Sequence, residues 1–102
     1  MSTLEKARLL LNQGRVAEAE QACEQVLEHS PDSIEALNVC AIASLRDGKN
    51  FRAVAMLERA VRADAANSIS QHNLGRAYEA VGNVDGAIEA LSAAVRLRPV
   101  YH

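Results

Sequence analysis

The sequence predicts an all-α fold, a row of stacked helix pairs in place of one globular core, and three observations predict it. The first is self-similarity at a shift of 34 residues: Gly14, Gly48 and Gly82 recur at that step, as do Ala19, Ala53 and Ala87, and the small residues Ala7, Ala41 and Gly75. Cys23, Leu57 and Leu91 keep the same register, and so do Val26, Ala60 and Ala94. A fixed period of this length marks copies of one supersecondary unit. The second is helical spacing: Val84, Ala87, Ile88, Leu91, Ala94 and Val95 trace one stripe, and no segment alternates with period two. The third is the shortness of the breaks, which forces consecutive helices to run antiparallel.

Six helices are expected, at about 3–13, 16–29, 33–46, 50–63, 68–81 and 84–97. Ser2-x-x-Glu5 opens the first and Ser68-x-x-Gln71 the fifth as capping boxes, in which side chains satisfy unpaired backbone N–H groups. Asp32 and Ser33, after Pro31, supply capping oxygens for the third. Gly14, Gly48 and Gly82 break each repeat, since glycine accepts the left-handed conformation that ends a helix. Asn50 and Asn83 follow the second and third of these breaks and are expected to cap the next helix.

Leu74-Gly75-x-x-Tyr78, then Ala87-x-x-x-Leu91, then Pro99, resembles the tetratricopeptide repeat, with Gln71 in place of the usual tryptophan and Leu91 in place of phenylalanine. The second repeat keeps Leu37, Cys40-Ala41, Ser44, Ala53, Leu57 and Ala60 but has Ala65 for proline. The first keeps Ala7, Leu10, Ala19, Cys23 and Pro31. The resemblance covers the chain as 1–33, 34–67 and 68–101 within one domain, 1–102. It implies a right-handed α-solenoid of three antiparallel helix pairs, with first helices lining the concave side. No C-terminal capping helix follows: Val100, Tyr101 and His102 stand where a fourth repeat would begin. The chain is therefore expected to be a piece of a longer protein, or to cover its last helix with a partner or a second copy.

Composition excludes several classes of function. A formal charge of −2 and a pI of about 5.9 attract neither nucleic acid nor an anionic membrane. Hydrophobic content is 49% but aromatics are only 3%, so the core is thin and the stability modest. Met1-Ser2-Thr3-Leu4-Glu5-Lys6 has no signal-peptide pattern, and no apolar run approaches the ~20 residues of a membrane span. A cytoplasmic location is expected. Nine arginines against two lysines hint at a GC-rich bacterial genome. Cys23 and Cys40 lie in apolar stripes and read as buried thiols.

The chemistry of catalysis is missing. No nucleophile–base arrangement, HExxH, phosphate loop or Cys-x-x-Cys occurs, and His29, His72 and His102 lie at no metal-ligand spacing. No enzyme, cofactor or metal is expected. Function in a solenoid falls to the surface that stacking leaves over. Removing the core stripe from the first helices leaves Arg8 with Leu4, Glu5 and Asn12 in the first repeat. It leaves Glu35, Asn38, Val39, Ile42 and Arg46 in the second, and Ile69, His72, Asn73, Arg76 and Glu79 in the third.

Val39, Ile42 and Ile69 are apolar on this side, which marks a contact patch for a peptide or helix; the alternative is extra core packing. Arg8 and Arg76 flank it and can pair with carboxylates; the alternative is a surface ion pair of Arg76 with Glu79 or His72. The resemblance implies that Asn73 hydrogen-bonds the backbone of an extended ligand, although Glu5 and Val39 at the equivalent sites leave no asparagine ladder. It also argues against tight binding of chaperone C-terminal tails, because the carboxylate-gripping sites hold Leu4, Arg8, Val39, Ile69 and Asn73. The alternative role is structural: self-association, or accessory contact within a longer, enzymatic protein, through Ala90, Leu91, Ala94 and Leu97 of the last helix.

Overall fold

In the computed structural model, which describes residues 1–98, the chain forms six helices: α1 (Thr3–Asn12), α2 (Val16–His29), α3 (Ile34–Arg46), α4 (Asn50–Ala63), α5 (Ser68–Ala80) and α6 (Val84–Leu97). No strand occurs among the described residues. Pro99, Val100, Tyr101 and His102, on which the last repeat proline and the start of a fourth repeat were read, lie outside them.

Local chemistry accounts for most helix ends. Ser2 Oγ accepts from the Glu5 amide at 3.1 Å, Ser33 from Ala36 at 3.2 Å, and Asn83 Oδ1 from Gly86 at 2.9 Å. Two expectations are corrected. The cap of α5 is Asn67, whose Oδ1 accepts from the Ser70 amide at 3.1 Å, while Ser68 is already helical and Gln71 donates to the Ala65 carbonyl. Asn50 is also inside its helix; Lys49 holds the cap position of α4 and makes no side-chain cap. In both cases the chain enters the helix one residue away from the expected cap. Gly14, Gly48 and Gly82 have φ of 78°, 77° and 81°, the left-handed turn for which glycine is needed. After each, the next amide returns to a carbonyl of the preceding helix, as Asn83 does to Tyr78 at 2.8 Å.

Each helix packs against the next in sequence, and α3 also touches both α1 and α5. Among the described residues α2, α4 and α6 make no such approach to one another. The row is therefore bent, with first helices crowded on the inside and second helices fanned on the outside. Long charged side chains span the outer gap: Lys49 Nζ meets Glu20 Oε2 at 3.0 Å and Arg52 meets Glu24 at 2.6 Å. The Glu20 carboxylate, followed by that of Asp47, raises the Lys49 pKa.

The core is a seam that runs along the row. One cluster joins α1, α2 and α3 through Ala7, Leu10, Leu11, Cys23, Val39 and Cys40, with smaller residues between them. A second joins α3 to α6 through Ala41, Ala53, Leu57, Leu74, Ala77 and Ala90. Leu57 is wholly buried, which stabilises the fold by about 1.5–3 kcal/mol relative to exposure. Cys23 and Cys40 are both buried; the hydrogen bond to Cys23, with burial behind it, pushes the Cys40 thiol pKa up, so it stays protonated and unreactive.

Candidate binding groove

The inside of the bend carries a groove of about 600 Å³. α1 contributes Arg8, Leu11 and Asn12. α3 contributes Ile34, Glu35, Asn38, Val39, Ile42 and Arg46. The start of α5 contributes Ile69 and Asn73, with its cap Asn67. The α3 set recurs at i, i+4 and i+8, one face of a helix that both neighbours leave partly open. The structure brings together nine of the fourteen residues read from sequence: Arg8, Asn12, Glu35, Asn38, Val39, Ile42, Arg46, Ile69 and Asn73, while Leu4 and Glu5 of α1 stay outside the lining. His72, Arg76 and Glu79 sit further along α5, outside the lining. Leu11, Ile34 and Asn67 were missed. Ile34 and Asn67 lie at helix starts, where face assignment by periodicity has no full turn to work with.

The apolar floor is graded. Ile69 is 64% exposed, Ile42 is half-buried against the first cluster, and Val39 is only 6% exposed. Val39, read as part of the apolar floor, lines the groove but is almost wholly buried, so most of its bulk belongs to the core. The reason is position: α3 is flanked on both sides, so its face is narrower than that of a terminal helix.

The same crowding claims the amides. Asn38 Nδ2 donates to Ser70 Oγ at 2.8 Å and to the Ile34 carbonyl at 3.0 Å, and Asn73 Nδ2 donates to Asn38 Oδ1 at 3.2 Å. Asn38 and Asn73 are 7% and 6% exposed. This relay ties α3 to α5 and uses one N–H of the Asn73 amide. Its Oδ1 meets no donor among the described residues, and Asn73 lines the groove.

The cations differ in availability. Arg8 pairs with Glu35 across α1 and α3. Arg46 donates from Nη1 to the Leu11 carbonyl at 2.8 Å, closing the end of α1. Arg76 is exposed and makes no ion pair with Glu79, His72 or any other described residue. Among the described residues no group of His, Cys, Asp and Glu is arranged to hold a metal, and no helix is long and apolar enough to cross a membrane.

The lateral set on α6 is also corrected. Ala90 and Ala94 are 5% and 1% exposed, packed inside the α5–α6 hairpin, and Leu91 is half-buried. Leu97 is exposed, together with Val84, Ile88 and Val95. The signal that finds these was present: a shift of 34 residues carries Val54 and Val61, which pack on the next repeat, onto Ile88 and Val95.

Comparison with known proteins agrees with this architecture. No curated protein matches the sequence. Among solved structures, an O-GlcNAc transferase mutant of Thermobaculum terrenum superposes with a TM-score of 0.91 at 34% identity, over 97% of this chain and 19% of the transferase. The chain thus spans about a fifth of that protein's length. The second TPR of Spaghetti (RPAP3), bound to an HSP90 peptide, superposes at 0.90 with 16% identity, over 95% of this chain and 90% of that one. MamA superposes at 0.88 with 22% identity, over 95% of this chain and 57% of that one. The profile of the tetratricopeptide repeat matches residues 4–68 and 41–102. These matches together span almost all of the sequence, and the chain belongs to the tetratricopeptide repeat family.

Proposed function

We propose that the chain is a protein-interaction module whose concave groove holds a short peptide or helix of another protein. The observation that carries this reading is the meeting, in one groove, of an apolar floor (Val39, Ile42, Ile69) with arginines at its margin (Arg8, Arg46). Arg76 stands further along the same helix as Ile69 and has no carboxylate partner among the described residues. The ligand that suits these groups has an apolar anchor for Ile42 and Ile69 and a carboxylate for Arg76. The Oδ1 of Asn73 can accept one backbone N–H of such a segment.

Chaperone C-terminal tails are not the proposed ligand. The sites that would grip their carboxylates hold Leu4, Arg8, Val39, Ile69 and Asn73, and Arg8 is already paired with Glu35. A second reading is favoured by the 34% identity to a segment of a glycosyltransferase: the repeats serve as the binding arm of a longer protein. It assigns no catalysis to residues 1–102.

The test is a pull-down comparing the chain with the variant Ile42→Asp plus Arg76→Glu. Both positions lie outside the fully buried core, so helical content by circular dichroism should be unchanged while retained partners are lost. Retention of the same partners by the variant removes the groove. Fluorescence polarisation with a chaperone tail peptide should show no low-micromolar binding; saturation in that range overturns the exclusion.

A further inference from the structure

Among the described residues nothing covers the outward stripe of α6. Val84, Ile88 and Val95 are 63%, 60% and 67% exposed, and half-buried Leu91 lies between them. These four recur at steps of four, three and four residues, the seam spacing of a paired helix. Three of them, Ile88, Leu91 and Val95, are also the 34-residue image of the seam inside the molecule. Val54, Leu57 and Val61, one repeat earlier, are covered by α5 through Leu74, Ala77 and Tyr78. The surface is thus continuous in kind with an interface that the fold already uses twice.

We propose that this stripe is a self-association surface, on which α6 pairs antiparallel with α6 of a second copy about a two-fold axis. The spacing is symmetric about its own midpoint. Reversing one helix places Val84 opposite Val95 and Ile88 opposite Leu91, so both halves of the contact are satisfied by one register. A two-fold contact requires this self-complementarity, and an arbitrary stripe lacks it. The polar flank agrees. Asp85 lies beside the stripe at the start of α6 and Arg96 on the same flank near its end. Both are exposed, and neither makes an ion pair with another described residue. In the reversed register each Asp85 comes within two residues, about 3 Å of rise, of the Arg96 of the other copy, within reach of its long side chain, and the helix dipoles oppose.

Head-to-tail stacking of copies is the competing arrangement, and one residue disfavours it. The face of α1 that would receive α6 carries Lys6 where α3 has Cys40 and α5 has Leu74. Those two are 1% and 5% exposed in their seams, so stacking would sink an ammonium group into an apolar contact. The two-fold pair buries no charge. Four side chains fall short of the ~800 Å² per partner of a standard interface, so the dimer is weak and dissociates at roughly micromolar to millimolar concentration.

Sedimentation equilibrium of the full chain, over that range, tests this. A monomer–dimer equilibrium is expected. Ile88→Lys, at an exposed site and with unchanged circular dichroism, should leave only monomer. Asp85→Arg alone and Arg96→Asp alone should each weaken association several-fold, and the two together should restore it. A monomer at every concentration overturns the proposal, and so does association that Ile88→Lys leaves intact. Open-ended growth beyond the dimer indicates head-to-tail stacking, and failure of the double exchange to rescue indicates a different register or partner; either refutes the two-fold pair. None of these residues lines the groove, so the outcome is independent of the ligand reading.

Discussion

Replacing Gly75 with alanine sets two effects of opposite sign against each other. Gly75 is in the middle of α5, where exchanging glycine for alanine gains about 1 kcal/mol of helix propensity. Its new Cβ would stand 2.5 Å from Leu91 Cγ, 2.7 Å from Leu91 Cδ2 and 3.3 Å from the Ala87 carbonyl oxygen. Carbon atoms rest about 3.5–4.0 Å apart, so roughly 1 Å must be found, at the branch point of a leucine held inside the hairpin. Overpacking of this kind costs about 1–3 kcal/mol. The second repeat bounds the answer, because it holds Ala41 and Leu57 at the equivalent sites, both wholly buried. A hairpin can therefore seat both groups if its helices stand further apart, which places the cost towards the middle of that range.

The net expectation is a loss of about 0.5–1.5 kcal/mol, or a Tm lower by several degrees, since 1 kcal/mol shifts a domain of this size by about 4–8 °C. The decisive measurement is a double-mutant cycle with Leu91→Ala, read by thermal and urea unfolding. With the leucine gone the clash is gone, and Gly75→Ala should become stabilising by up to about 1 kcal/mol. A change of sign between the two backgrounds is the signature. Stabilisation of the native chain by Gly75→Ala, or the same effect in both backgrounds, would refute the view that close approach at this site is what requires glycine.

Two further predictions concern other contacts. Asn83→Ala should cost about 1 kcal/mol in unfolding experiments while Asn50→Ala stays within a few tenths, because only Asn83 caps its helix; equal effects would contradict the observed helix entries. Tyr78 donates to Glu58 at 2.7 Å, and burial, followed by that hydrogen bond, pushes its pKa up to about 12 from 10.0. The folded state holds this proton more tightly than the unfolded chain, so the contribution is intact below pH 10 and is lost as pH rises through about 12. Chemical unfolding across that window should show stability falling with pH in the native chain and less so in Tyr78→Phe; equal slopes would sink the assignment.

The fold was legible in the sequence to within a residue or two at nearly every helix end. A 34-residue period ties three weak local patterns to one register, and three glycines that need positive φ punctuate it. The misplaced caps, Ser68 and Asn50, show where local chemistry is ambiguous: adjacent Asn67 and Ser68 both offer a capping oxygen, and only the entry angle of the chain chooses between them. The groove was legible as a face but not as a surface. Helical periodicity states the direction in which Val39, Asn38 and Asn73 point from their own helix. It says nothing of how closely the next helix crosses that direction.

Sequence alone therefore determined the all-α class, the three helix pairs and their antiparallel order; the concave placement of the first helices was implied only by the family resemblance. Class, pairs and order follow from local propensity and from a period, and both are one-dimensional properties. Tertiary structure decided which side chains remain available. α3, touched from both sides, lost Asn38 and Val39 to the seam, whereas α6, with nothing packed beyond it among the described residues, kept Ile88 and Val95 in the open. Exposure depends on the distance between helix axes and the width of the bend, and those emerge only when every pair is packed at once.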